Sequence, residues 1–316
     1  AGSEDRMRLI RGVHNLRPAH RGCVATIGNF DGVHRGHQRI LDKVVAEARA
    51  RGALATVMLF EPQPQEFFLG DQAPARLMNL RDKLITLARY GVDQVLCVRF
   101  NDAFRNLEAE QFVRDILVDG LAVEYLVVGD DFRFGRGRVG DFAYLEQAGE
   151  RFGFEVCDTA TCQMTGERVS STRVRSALAA GDFALVEQLL GRPYDISGRV
   201  RHGDKIGRTL QLPTVNLALK RQVPPVQGIY AVTVDGAGLE DQPGAANVGT
   251  RPTVNGVENR LEVHLLDFQG DLYGAHLTVH FHHFVRPEEK FASLDELKAA
   301  IQRDVQQVET YFQGTS

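Results

Sequence analysis

Apolar residues in the first half of the chain fall into short unbroken runs separated by stretches of helical spacing. Residues 23–27 and 54–60 are apolar and rich in β-branched side chains, and they read as buried strands. Segments 93–100 and 124–129 read as two more. Between them Ile40, Leu41, Val44, Val45 and Ala48 predict a helix over 38–50, and further helices are expected near 80–90, closed by Gly91, and over 108–119. Strands alternating with helices imply a parallel sheet whose ligands sit at the strands' carboxyl ends. A helix through 176–180 follows, then another that stops at Gly191-Arg-Pro. From Tyr194 the periodicity changes. Segments 196–201, 228–234, 261–267 and 275–284 are short and strand-like, broken by Gly, Pro and Asn. They predict an antiparallel barrel, with a last helix over about 294–311. The fold class expected is therefore α/β followed by β, in two domains over 7–186 and 187–316.

Composition narrows the setting. A chain of 316 residues, 43% hydrophobic and 25% charged, is ordinary for a globular protein and long enough for two cores. A net charge of −4 argues against a general nucleic-acid binder, yet leaves room for nucleotide substrates, which need only local cations. No run approaches the roughly 18 apolar residues of a membrane span. The residues before Met7 lack the apolar core of a signal peptide, so Met7 is expected to be the natural start. The four cysteines form neither CxxC nor zinc spacing; Cys23 and Cys97 sit in apolar runs, Cys157 and Cys162 could bridge, and cytoplasm is the expected compartment.

Chemistry concentrates in a few stretches. Gly28, Asn29, Phe30, Asp31, Gly32, Val33, His34, Arg35, Gly36 and His37 join a strand to a helix. A helix start offers unpaired N–H groups to an anion, glycines admit a ligand close to the backbone, and histidines three apart share one helix face. The combination points to a nucleotide site rather than a plain turn. It resembles the H-x-G-H signature of cytidylyltransferase-like nucleotidyltransferases, and the flanking GNFDGVH narrows the resemblance to FMN adenylyltransferases. Two later stretches fit the same family. Gly129-Asp-Asp-Phe-Arg-Phe-Gly135 places Asp131 and Phe132 at positions implied to touch FMN and the adenine side of ATP. Ser170, Ser171, Thr172, Arg173 and Arg175 open a helix, and the family's I-S-S-T-x-I-R element is implied to hold the triphosphate. One departure is Pro62-Gln63-Pro64, where relatives usually carry Pro-His-Pro, so Gln63 receives no catalytic role.

In the second half, the loop containing Gly203, Lys205, Gly207 and Arg208 suits a polyphosphate, and Thr214 and Asn216 are two apart, so both oxygens can face a hard cation. Alternation puts Glu262, His264 and Leu266 on one face and Leu261, Val263 and Leu265 on the other. If Glu262 faces a pocket it can take a proton from an attacking hydroxyl. Together with Gly228-Ile-Tyr230 and Asn247-Val-Gly-Thr-Arg-Pro252, these elements resemble riboflavin kinase. The resemblance implies Thr214 and Asn216 as ligands of Mg–ATP, Glu262 as base on the riboflavin 5′-hydroxyl, and Arg286 with Glu289 in a segment closing over flavin. Gln211 departs from the usual Gly-Phe-Pro. His280, His282 and His283 are expected on the polar face of a strand, since no carboxylate or cysteine at ligand spacing accompanies them.

The resemblance runs from about residue 7 to 311 and matches the order seen in bifunctional bacterial riboflavin kinase/FMN adenylyltransferases. It implies riboflavin, FMN and ATP as small-molecule partners and Mg²⁺ as the ion accompanying ATP, with no nucleic acid, membrane or obligate protein partner expected. Two rivals compete with it. A nucleotidyltransferase acting on another phosphate, with a passive barrel, is opposed by the P-T-x-N and E-V-H-L elements. A flavin carrier or oligonucleotide-binding barrel is opposed, on its second count, by the acidic balance and the lack of a basic aromatic stripe.

Overall fold

The computed structural model describes residues 7–158, 169–202, 213–219, 223–254 and 256–314. They fall into two units: one takes the chain up to Pro74 with Asn79–Val169, the other takes Ala75–Met78 and the chain from Ser170 onward. The expected division at 186/187 falls inside a helix, because both helices after Ser170 cluster with the barrel.

The first unit is a six-stranded parallel sheet. Its strands are β1 (Arg8–Arg11), β2 (Cys23–Ile27), β3 (Leu54–Glu61), β4 (Gln94–Arg99), β5 (Val123–Val128) and β6 (Glu155–Asp158). Their spatial order is β1-β4-β3-β2-β5-β6. Helices α1 (Arg35–Arg51), α2 (Pro64–Leu69), α3 (Leu80–Arg89), α4 (Asp102–Arg105), α5 (Ala109–Gln111, continuing as a π-helix over Phe112–Gly120) and α6 (Phe142–Phe152) complete it. All five residues of β2 are buried because the strand is covered on both faces. Its side chains alternate between two cores. Cys23, Ala25 and Ile27 join Phe112, Ile116, Leu117 and Leu145, whereas Val24 joins Val44 and Ala48 of α1. From β2 the chain runs outward to β3 and β4, then returns to β2's other side as β5. The strand order thus reverses beside β2, and an open parallel sheet makes its ligand crevice at the carboxyl ends there.

The second unit starts with α7 (Ser171–Ala179) and α8 (Phe183–Leu190). Gly191 closes α8 at φ 78°, a left-handed cap that a side chain would strain. The strands β7 (Tyr194–Arg201), β8 (Thr214–Leu217), β9 (Gly228–Gly236), β10 (Leu239–Thr253), β11 (Gly256–Leu265) and β12 (His276–Arg286) close an antiparallel barrel in the order β10-β11-β8-β7-β12-β9. A last helix, α9 (Leu294–Gly314), packs on β9, β10 and β12.

The three adjacent histidines have separate partners. The His280 Nε2 is 2.8 Å from Asp235 Oδ2, the His282 Nε2 is 2.8 Å from Thr233 Oγ1, and the His283 ring stacks on Tyr311. Cys23 is a buried free thiol, pushed by that burial up to about 11, and Cys97 is partly buried. The possible bridge from Cys157 involves Cys162, outside the described residues.

Candidate functional site

In the first unit the carboxyl end of β2 carries Gly28–His37 as an inward-folded loop. Phe30, Asp31, Val33 and His34 are all buried. Two non-glycine residues hold left-handed backbone, Phe30 at φ 51° and the β-branched Val33 at φ 40°. Backbone of this kind is costly and collects where a loop must keep one shape. His34 is the N-cap of α1: its Nδ1 accepts the His37 backbone N–H at 3.2 Å, in the role usually filled by Ser or Asp. That bond leaves Nε2 as the nitrogen to carry the proton of a neutral ring. The two imidazoles stack at 3.5 Å between centroids, with Phe30 against His37 at 4.8 Å. A Cβ on Gly36 would stand 3.0–3.1 Å from the His34 ring and 3.1 Å from the Val169 carbonyl oxygen, so glycine is what lets the cap form.

His37 Nδ1 is buried without a hydrogen-bond partner. Burial pushes its pKa well below the usual imidazole value, helped by neighbouring His34 and by Lys83. Lys83 is a buried cation on α3 that the sequence reading passed over. Its signal was present: it sits four before Leu87 on the helix's apolar stripe, where only these two are buried. Gln63, the N-cap of α2 at the carboxyl end of β3, is also buried, and its Nε2 has no partner. Asp131 and Phe132 follow β5, which pairs with β2, so they share this sheet edge; Asp131 is exposed and Phe132 stacks on Phe134. A separate cavity of about 570 Å³, lined by Arg51, Glu124 and Glu155, lies toward the strands' amino ends, away from these groups.

In the second unit Ser170 caps α7, its hydroxyl oxygen accepting the Arg173 N–H at 3.1 Å, as an N-terminal serine should. Arg175 donates through Nε to the Ala75 carbonyl at 2.6 Å, and Thr172 is exposed. Gly203, Lys205, Gly207, Arg208 and Gln211 lie outside the described residues.

Barrel register gathers the remaining residues. Asn216 on β8 stands opposite Glu262 on β11, which stands opposite Asn247 on β10. One step along the same face, Thr214 stands opposite His264. Arg260 Nη2 lies 2.6 Å from Glu262 Oε1 and fixes the direction of that carboxylate. His264 is buried, where alternation alone suggested an open polar face, and its Nδ1 is 2.8 Å from Thr214 Oγ1. The register could be read only once β8 and β10 were known as strands; β8 is only four residues long, and Gly and Pro within β10 hid the other.

Beneath α9 a cavity of about 60 Å³ is lined by Asn247, His264, Arg286, Glu289, Phe291 and Asp304, among others. Asn247 Oδ1 is buried there without a partner. Arg286 is held by a two-pronged bond to the Asp304 carboxylate, Nε to Oδ1 at 2.7 Å and Nη2 to Oδ2 at 2.8 Å, which raises its pKa. Asp304 is 5% exposed. Asp304→Ala is expected to lower stability by about 1–3 kcal/mol, since it takes the carboxylate from a part-buried guanidinium that keeps the Pro287 carbonyl as acceptor; urea unfolding of the full chain checks this.

Burial pushes the His264 imidazole down to about 4, with the carboxylate of Asp304 working against that shift. An unfolded chain takes up a proton near 6.5 that the folded ring refuses. Stability is therefore complete above about 6.5 and lost as pH falls toward 4, at up to about 1.4 kcal/mol per unit. Urea unfolding at a series of pH values should show this slope, and His264→Asn should flatten it.

Two family models match the chain, one in each half. A FAD synthetase family model matches residues 16–173 and a riboflavin kinase family model matches 190–312. The chain is 56% identical to the bifunctional riboflavin kinase/FMN adenylyltransferase of Escherichia coli strain K12, covering 97% of this chain and 98% of that one. It is 57% identical to the Pseudomonas fluorescens protein of the same description, over 95% of this chain and 96% of that one. A solved Streptococcus pneumoniae chain described as a macrolide-efflux protein superposes with a TM-score of 0.79 at 28% identity, over 96% of this chain and 99% of that one. Among the described residues here, no helix is long and apolar enough to cross a membrane. With a family model matching each half and relatives more than half identical along nearly its whole length, the chain belongs to the family of bifunctional riboflavin kinase/FMN adenylyltransferases.

Proposed function

We propose that this chain phosphorylates riboflavin with ATP at its barrel strands, releasing ADP and FMN, and adenylylates that FMN with a second ATP at the loop after β2, releasing pyrophosphate and FAD. The observation that carries the reading is the row Asn216–Glu262–Asn247 with Thr214 beside it, a set of oxygen donors and one carboxylate on one barrel face. Hard oxygen ligands on a rigid strand suit Mg²⁺, which normally shares them with substrate phosphates. Thr214 and Asn216 would hold that ion with the nucleotide, and when bound it would offset charge on the transferring phosphoryl group. Glu262, aimed by Arg260, takes the proton of the riboflavin 5′-hydroxyl as its oxygen attacks the γ-phosphorus of ATP. Gly203, Lys205, Gly207 and Arg208 are assigned to the polyphosphate on the family's motif. Arg286 and Glu289 line the cavity beneath α9 and are assigned to the flavin side.

In the adenylyl step the FMN phosphate attacks the α-phosphorus of ATP. It is already an anion, so no protein base is needed. His34 and His37 act as hydrogen-bond donors to phosphate oxygens, and the unpartnered His37 Nδ1 supports that role. Gly28, Asn29, Phe30, Asp31 and Gly36 shape the loop that holds them. On the family's motifs, Ser170, Ser171, Thr172, Arg173 and Arg175 are assigned to the triphosphate, and Asp131 with Phe132 to the flavin nucleotide. The test is a product time course from riboflavin, excess ATP and Mg²⁺. FMN rising first and FAD after it is expected. FMN alone would remove the adenylyl half, and neither product from folded protein would favour a flavin carrier.

A further inference from the structure

The hydrogen bond between His264 and Thr214 has a direction that matters for cation binding. A threonine hydroxyl carries one proton and two lone pairs. If the imidazole donates to Oγ1, the hydroxyl proton is left to point elsewhere and to oppose a cation. If the imidazole accepts, the hydroxyl proton is consumed and Oγ1 presents lone pairs in its remaining directions. The ring is 7% exposed and lies opposite Thr214 in the β8–β11 register, so packing fixes it rather than leaving it to rotate. Asp304 lines the same cavity as His264 and is an acceptor-only group when ionised. A carboxylate in that cavity favours the tautomer with its proton on Nε2, which makes Nδ1 the acceptor.

We propose that His264 is a positioning residue for the kinase step: it takes the Thr214 hydroxyl proton in a hydrogen bond at Nδ1 and thereby turns the Oγ1 lone pairs toward the nucleotide-bound divalent cation. This rests on the reading of Thr214 as a ligand of that ion. His264 is not itself proposed as a ligand of the ion. The arrangement is the oxygen-ligand counterpart of the outer partners that orient metal-binding side chains elsewhere. Nothing in the sequence marked it, because a histidine two residues after Glu262 looked like part of a polar strand face.

The test titrates Mn²⁺ by electron paramagnetic resonance in the presence of saturating ADP, on the full chain and its variants. His264→Phe is expected to weaken Mn²⁺ binding at the kinase site about 10- to 100-fold. The KM for Mg–ATP in FMN formation should rise by a similar factor while the riboflavin KM stays within about twofold. His264→Asn, whose amide oxygen falls near the Nδ1 position, should recover most of the loss; His264→Gln, whose amide falls near Nε2, should not. The His264→Phe/Thr214→Ala double variant should bind no more weakly than Thr214→Ala alone. FAD formation from added FMN should be unchanged throughout and reports that each variant is folded. Wild-type Mn²⁺ affinity in His264→Phe, with Thr214→Ala weakened, would overturn the proposal alone, as would losses that add in the double variant. Wild-type affinity in Thr214→Ala would overturn the ligand reading and the proposal with it.

Discussion

Glu262→Gln is expected to slow FMN formation from riboflavin about 100- to 10,000-fold, the range a positioned general base contributes. The substitution keeps the volume and an oxygen that Arg260 can still donate to, so the strand and its register persist. What disappears is a group able to take the hydroxyl proton as the bond to phosphorus forms. The ion pair with Arg260 is mostly buried, with side chains 17% and 24% exposed, but the amide oxygen still accepts from Arg260, so the change should cost about 1–2 kcal/mol of stability. FAD formation from supplied FMN should proceed at the wild-type rate, because none of the residues proposed for the adenylyl step lies on β8, β10 or β11. Separate assays on riboflavin and on FMN check both halves. A variant that loses both reactions together would point to misfolding rather than chemistry.

His34→Asn should give the mirror result. Asparagine is a good N-cap, and its side-chain oxygen can accept the His37 N–H as His34 Nδ1 does now. The helix therefore keeps its start, while the donor on the far side of the imidazole ring is gone. Removing one such donor to developing charge costs about 100- to 1,000-fold in rate. FAD formation from FMN should fall by that factor with FMN formation untouched. His34→Ala should lose the same catalysis and about 1 kcal/mol of helix stability besides, which thermal unfolding of the two variants can separate.

Much of the fold was legible because the strands of the first unit are continuous apolar runs, and β2 shows why. Covered on both faces, it has no exposed position to blur its ends, and 23–27 was read with both boundaries correct. The shorter edge strands β1 and β6 were not seen. Arg8-Leu-Ile-Arg is flanked by charge and buries only Ile10, so its local pattern is too weak to separate from a loop. β10 was lost for another reason: Gly244, Gly249 and Pro243 read as breakers, yet pairing on both sides inside a closed barrel outweighs their local preferences.

The candidate site divides in the same way. Residues on a short motif, such as His34 with His37 or Thr214 with Asn216, announce themselves by spacing. Residues that act on them from a distance in sequence do not. Lys83 bears on His37 from α3, Asp304 holds Arg286 from α9, and His264 meets Thr214 across a strand pair. Each is a polar group buried where periodicity predicts core, and its partner appears only after folding. The strained backbone at Phe30 and Val33 was equally invisible, since neither residue type advertises left-handed geometry.

Two reactions at two separate sites on one chain should be separable by mutation and restored by mixing. The most direct test gives riboflavin, ATP and Mg²⁺ to a one-to-one mixture of Glu262→Gln and His34→Asn chains and follows FAD. Alone, the first should stall at riboflavin and the second at FMN. Mixed, they should make FAD, because FMN released by one chain is substrate for the other. A mixture that yields no FAD, although one chain still makes FMN and the other still consumes it, would contradict the account.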